Sequence, residues 1–153
     1  MNILFVDLEN VCRSPLAEGL LRKKFADHHL DGRIDSAGFE SFNINEPPDI
    51  RVVEVAEMHG LSITGKARIF VKSDFDRFDK IFVMDTSSFN NVQEICEKKE
   101  QMKKVDYVLN LLPDQPKNAS IPNPFFSGTS DCLKIFSLLD AATDKIVEQL
   151  NHQ

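Results

Sequence analysis

Asp7, Cys12 and Arg13 place a carboxylate, a thiol and a guanidinium within the segment Asp7-Leu8-Glu9-Asn10-Val11-Cys12-Arg13-Ser14 near the start of the chain. Arg13 carries a fork of N–H donors shaped for phosphate or carboxylate. Ser14 followed by Pro15 signals a helix start, since the hydroxyl can cap and proline fits the first helical position. Backbone amides that converge on a helix N-terminus favour a negative ligand. The chemistry this spacing offers is anion binding.

Such a loop needs a strand before it and a helix after it. Ile3 to Val6 is an apolar, partly β-branched run suited to a strand buried on both faces of a parallel sheet. Residues 14–28 show helical spacing, with Leu16, Leu20, Leu21 and Phe25 on one face and Glu18, Arg22, Lys23 and Lys24 on the other. Further along, 33–37 reads as a strand. Pro48 opens an amphipathic helix through Val52, Val53, Val55 and Ala56 that Gly60 closes. Lys80–Met84 and Val105–Leu109 read as further strands, with a helix near 87–99 between them. A proline-rich loop from Pro113 to Pro124 precedes a last helix over 129–150, where Leu133, Phe136, Leu139, Ile146 and Leu150 share a face. This alternation implies an α/β fold: a parallel sheet covered on both sides, right-handed crossovers and a site at the carboxyl ends of the strands.

The loop resembles the signature of the low molecular weight protein tyrosine phosphatases, Val-Cys-x-Gly-Asn-x-Cys-Arg-Ser-Pro. Val6, Asn10, Cys12, Arg13, Ser14 and Pro15 match it, as do Ala17 and Glu18 beyond it. Asp35-Ser-Ala-Gly38, Glu46-Pro-Pro-Asp-Ile-Arg51, Gly60, Gly65-Lys-Ala-Arg68, Ser73-Asp-Phe-Asp-Arg-Phe-Asp79 and Val83-Met-Asp85 follow in the family's order. Ile121-Pro-Asn-Pro-Phe-Phe126 is similar to the Asp-Pro-aromatic-aromatic segment that supplies the family's general acid. The resemblance covers nearly the whole chain and implies one domain over residues 1–153, a single three-layer unit. It further implies a sheet of four strands, with the phosphatase loop after the first strand at the topological switch point.

It also places Asp7 at the family's nucleophilic cysteine, Glu9 at its loop glycine and Asn123 at its general acid. In the family a thiolate attacks phosphorus, its pKa lowered by loop amides and arginine. An aspartic acid protonates the leaving group, a contribution of about 10²- to 10⁴-fold. Asn123 can donate a hydrogen bond but transfers no proton at neutral pH. A carboxylate at about 4 Å repels one phosphate charge by roughly 4 kcal/mol at an effective dielectric near 20, and Glu9 adds to that. The expectation is therefore that Asp7 itself fills the cradle, takes the amide hydrogen bonds meant for phosphate and pairs with Arg13. The chain then reads as a catalytically impaired homologue, a pseudophosphatase acting as a binding or regulatory module. Two alternatives stand beside it: residual aryl phosphate hydrolysis through Asp7 or Cys12, and an engineered inactive form of an active phosphatase.

The same residues have plainer readings. Asp7 could be only a helix-proximal cap. Cys12 reads as a small buried thiol, because the cysteine with which its family counterpart can form a disulfide is missing. Asn10 suits a left-handed backbone position in a tight loop. Glu9, where the family has glycine, implies a changed or strained loop. Phe125 and Phe126 are either core aromatics or, as the resemblance implies, the wall of a cleft for an aromatic ring. The acids at 74, 76 and 79 read as a solvated face.

At 153 residues and 42% hydrophobic, the chain can bury one sizeable core without a linker or repeat. Its net charge of −6 argues against nucleic acid as a partner. No signal-peptide pattern or membrane-spanning run is evident, so a cytoplasmic protein is expected. Cys12, Cys96 and Cys132 lie too far apart for a metal pattern and His28, His29, His59 and His152 form no ligand pattern, so no metal or cofactor is expected and the thiols are read as free. The expected ligand is a phosphotyrosine protein or a small phosphate or other anion, weakly held, by a monomer or weak dimer.

Overall fold

A computed structural model describes residues 1–124 and 129–152. Four strands form one parallel sheet in the order β2-β1-β3-β4, where β1 is Ile3–Val6, β2 Ile34–Ala37, β3 Lys80–Val83 and β4 Val105–Tyr107. The register pairs Ile3 with Ile34 on one side and with Lys80 on the other, and Ile81 with Val105. The first strand is therefore internal, and its carboxyl end points the loop at 7–12 into the middle of the sheet edge.

Alternate side chains of β1 feed two separate cores, which is why its apolar run is unbroken. Ile3 and Phe5 join the larger core with residues of α1 (Arg13–Asp27), α2 (Ile50–Met58) and α5 (Thr129–Asn151). Leu4 and Val6 join a second core with Phe75 of α3 (Asp74–Arg77) and Val92 of α4 (Thr86–Ile95). On α5, Phe136, Leu139 and Ile146 are buried, while Leu133 and Leu150 pack at the edge of the same core. No described helix is long and apolar enough to cross a membrane.

Several element ends differ from the sequence expectation. The fourth strand stops at Tyr107 because Val108–Leu111 turns into a 3₁₀ helix, and apolar content alone does not separate the two. The helix after β3 ends at Ile95, ahead of a charged run that supplies no buried face, and Lys99–Lys104 is 3₁₀. Asp49, rather than Pro48, opens α2 by accepting a hydrogen bond from the Arg51 backbone N–H at 2.9 Å. Asp74 departs furthest from expectation. It is fully buried, paired with Arg68 at 3.0 Å and Arg77 at 3.1 Å, whereas Asp76 and Asp79 are exposed as a solvated face requires.

Candidate functional site

The loop leaves β1 at Asp7 and enters α1 at Arg13, one residue earlier than expected. Cys12 occupies the cap position with no side-chain cap bond of its own. Asp7 supplies the missing acceptor. Its Oδ1 accepts the backbone N–H of Asn10 at 2.5 Å, and its Oδ2 accepts that of Ser14 at 2.9 Å, with the residue 1% exposed. Two of the inward-facing amides of the cradle are thus bound to the chain's own carboxylate. The bond from Ser14 serves the start of α1, as the cap reading has it, while the bond from Asn10 lies within the loop.

Arg13 does not pair with Asp7. Its guanidinium, 3% exposed, donates from Nη1 to Asp85 at 2.7 Å and to the Ile121 carbonyl at 2.7 Å. The pairing of β1 with β3 brings Asp85, at the start of α4, to the guanidinium, while Asp7 is turned to the Asn10 and Ser14 amides. Burial opposes ionisation of Asp85, but the Arg13 charge and the Ser88 backbone N–H at 2.8 Å outweigh it and hold the carboxyl below its ordinary range.

Asn10 holds the loop's shape. Its φ of +58° is the left-handed value expected for it. Its Nδ2 donates to Ser14 Oγ and Ser36 Oγ, each at 2.9 Å, and its Oδ1 accepts the Arg68 backbone N–H at 2.9 Å. Gly38 makes this approach possible. A Cβ there would stand 2.9 Å from Asn10 Cβ and 3.0 Å from the Leu8 carbonyl, closer than ordinary contact allows. The Leu8 carbonyl in turn accepts the Phe39 N–H at 2.8 Å, and the Val11 carbonyl that of Asp49 at 2.8 Å.

Glu9 requires no left-handed backbone, so the expected strain is absent at that residue; within the loop that conformation falls to Asn10. Its carboxylate accepts a hydrogen bond from Asn123 Nδ2 at 3.1 Å. Asn123 is exposed, on a segment tied down at both ends. Ile121 donates its N–H to the Met84 carbonyl at 2.8 Å and offers its own carbonyl to Arg13, and Arg51 Nη1 donates to the Pro124 carbonyl at 3.1 Å. Arg51 also grips Asp49 through Nε and Nη2, each at 3.1 Å, which pulls the Asp49 carboxyl below its ordinary range. Phe125 and Phe126, the expected cleft wall, lie outside the described residues.

Cys12 is 3% exposed within the larger core. Burial first, then the carboxylates of Asp49, Asp7 and Glu9, push its thiol far above the ordinary range. Among the described residues no group of acids, histidines and cysteines could hold a metal ion.

Asp85, Ser36 and Asp49 lie inside the segments that match the family, and their types alone do not mark them as supports of the loop. The signal was their position at the carboxyl ends of β3 and β2 and at the start of α2, where a loop site draws its supporting groups.

The model of the low molecular weight phosphotyrosine protein phosphatase family matches residues 2–153. The low molecular weight phosphotyrosine protein phosphatase of Homo sapiens is 36% identical over 134 residues, covering 85% of this chain and 83% of the human one. That of Schizosaccharomyces pombe is 32% identical over 138 residues, covering 86% and 87%. Among solved structures, a protein tyrosine phosphatase from Entamoeba histolytica superposes with a TM-score of 0.92 at 28% identity, covering 99% of this chain and 97% of that one. A Drosophila arginine phosphatase superposes at 0.90 and 26%, covering 98% of each. A match that runs from β1 to the end of α5 leaves one conclusion: the chain belongs to the low molecular weight phosphotyrosine protein phosphatase family.

Proposed function

We propose that this family member is catalytically impaired and acts as a binding or regulatory module, with its anion cradle filled by the carboxylate of Asp7. The observation that carries this reading is the pair of bonds from the Asn10 and Ser14 backbone amides to Asp7. An oxyanion entering the loop must displace that carboxylate or sit beside it against a repulsion of roughly 4 kcal/mol. Phosphotyrosine proteins and small phosphates are then weak ligands.

Chemistry points the same way. Asp7, at the resemblance's nucleophile position, holds a backbone amide on each oxygen, and the Cys12 thiol is buried with its pKa pushed up. Asn123, at the general-acid position, has no proton to give. On this reading the scaffold keeps a loop whose shape is held by the chain's own carboxylate. A partner that reads that shape would find it without any phosphate present. The reading assigns the work to a single domain over 1–153, cytoplasmic and monomeric or weakly dimeric.

The test restores the family's constellation. Asp7→Cys with Glu9→Gly and Asn123→Asp is expected to hydrolyse a chromogenic aryl phosphate, with no turnover from the parent chain with or without Mg²⁺. Parent turnover at rates ordinary for the relatives overturns the proposal. Silence from a folded triple variant would mean that more than these positions separate the scaffold from an active one.

A further inference from the structure

The strand order places β2 at one border of the sheet, where it has β1 on one side only. We propose that the outer edge of β2 takes an extended peptide segment of a partner protein as an added strand. This inference does not depend on how the loop's activity is read.

The direction of the main-chain groups defines the edge. The Arg33 and Ala37 carbonyls accept the Ile3 and Asp7 N–H groups at 2.8 and 3.3 Å, so the groups of Ile34, Ser36 and Gly38 point away from β1. Gly38 meets backbone there: its N–H donates to the Arg68 carbonyl at 2.9 Å and its carbonyl accepts the Phe70 N–H at 2.8 Å, a parallel bridge to Ile69. Upstream of that bridge the crossing segment leaves β2, and Ala67 bonds to Asn45 and Glu46 instead. Ile34 and Ser36 are left to side chains. The Ile34 carbonyl accepts Arg22 Nη2 at 2.7 Å, and the Ser36 N–H donates to Asp35 Oδ1 at 2.9 Å.

Space for a further strand lies along the same edge. One cavity of about 480 Å³ borders Asp35 and Ser36, and a second of about 360 Å³ borders Arg33 and Ile34. Arg22 lines both, so one side chain, 58% exposed, separates two halves of a groove. The larger cavity is walled opposite β2 by the segment 60–67, where Leu61 and Ile63 are buried and Ser62 and Thr64 exposed. Among the described residues, the N–H and carbonyl groups of Ser62 to Lys66 have no hydrogen-bond partner. Main-chain groups therefore face the groove from two sides.

These features select a peptide. A strand edge is a template for another backbone, and strand addition takes affinity from main-chain hydrogen bonds and specificity from pockets for alternate side chains. A second copy of this chain fits poorly, because its own β2 edge is walled in the same way and two recessed edges do not meet. A free extended segment enters where a folded border cannot, and it continues the line that 68–70 begins at Gly38. Ser36 also accepts Asn10 Nδ2 at 2.9 Å, so the added strand abuts a residue that holds the anion loop.

The experiment is a ¹⁵N chemical-shift titration of the full chain with acetyl-Thr-Val-Thr-Val-Thr-amide, and with the same peptide methylated on its three central nitrogens. Saturable shifts are expected at the Ile34 and Ser36 amides and across 62–66. The methylated peptide keeps the side chains but loses main-chain donors, and it should bind at least about tenfold more weakly. Arg22→Met opens the groove and frees the Ile34 carbonyl, and should tighten the unmethylated peptide several-fold. Absence of saturation, shifts that saturate elsewhere, equal binding of the methylated peptide, or no tightening in Arg22→Met overturns the proposal. So does a concentration-dependent dimer that protects the Ile34 and Ser36 amides from exchange without peptide, since the edge would then belong to a second copy.

Discussion

Asn123 donates its side-chain amide to the Glu9 carboxylate at 3.1 Å, so the segment at 121–124 and the loop after β1 touch through one amide and one acid. An aspartate at 123 would set two carboxylates face to face, while the amide turns that contact into a bond. The two residues are physically coupled, and the coupling is measurable. Asn123→Asp is expected to destabilise the chain more in the presence of Glu9 than after Glu9→Gly, with a coupling of about 0.5 kcal/mol in a double-mutant cycle by urea denaturation. Additive effects of the two changes would show that the contact does not hold the segment.

Asp7→Ala empties the cradle and leaves two buried amides without an acceptor. The cost is expected at about 2–4 kcal/mol, because hydrogen bonds to charged groups contribute roughly 1.5–3 kcal/mol each and water recovers part of it. Inorganic phosphate should then rescue the variant. At about a hundredfold over its Kd it adds roughly 2.7 kcal/mol, read as a concentration-dependent rise in Tm. The parent chain should show no such rise. A parent Tm that climbs with phosphate as steeply as the variant's would mean that the carboxylate does not occupy the anion site.

Where single residues decide contacts, the sequence is legible only in part. Ile3–Val6 declares a buried strand by its composition, and Asn10 declares its left-handed backbone because few other residues tolerate one. The partner of Arg13 could not be read. Asp85 lies 72 positions away, brought near by the pairing of β1 with β3, and any carboxylate at a strand end would have satisfied the pattern. Asp74 sits in a run of acids, and such a run has the composition of a solvated face. Its burial depends on Arg68 arriving from a loop, which no local spacing encodes. The ends of α4 and β4 are not legible for a simpler reason: charge and apolarity continue past the point where the backbone changes.

The Arg13–Asp85 pair should govern the acid limb of stability. The folded Asp85 carboxyl lies below the unfolded value of about 3.9, so its contribution is fully present above pH 4 and is lost as pH falls through the folded value. Asp49, lowered by Arg51, acts in the same direction. Glu18 acts in the opposite sense. Burial raises its folded value above about 4.3, so the stability it contributes at low pH is lost as pH rises through that value. Asp85→Asn is expected to cost about 3 kcal/mol at pH 7, where Arg13 would be left buried without its carboxylate, and markedly less at pH 3. Glu18→Gln should become less costly as pH rises. Parallel stability curves for parent and Asp85→Asn across pH 3 to 7 would remove the pair from the account.

Asn10 tests whether the loop's shape depends on its side-chain network or on its backbone preference. The side chain bonds Ser14, Ser36 and the Arg68 N–H, and the backbone sits at a φ of +58°. Alanine loses both features, whereas glycine loses only the network, since it adopts positive φ without steric cost. Asn10→Gly is therefore expected to be more stable than Asn10→Ala by about 1 kcal/mol, with both well below the parent. If the network is what holds Asp7 against its amides, the two variants should gain affinity for phosphate equally despite their different stabilities. If the left-handed backbone alone sets the cradle, Asn10→Gly should keep the parent's indifference to phosphate and only Asn10→Ala should acquire a response.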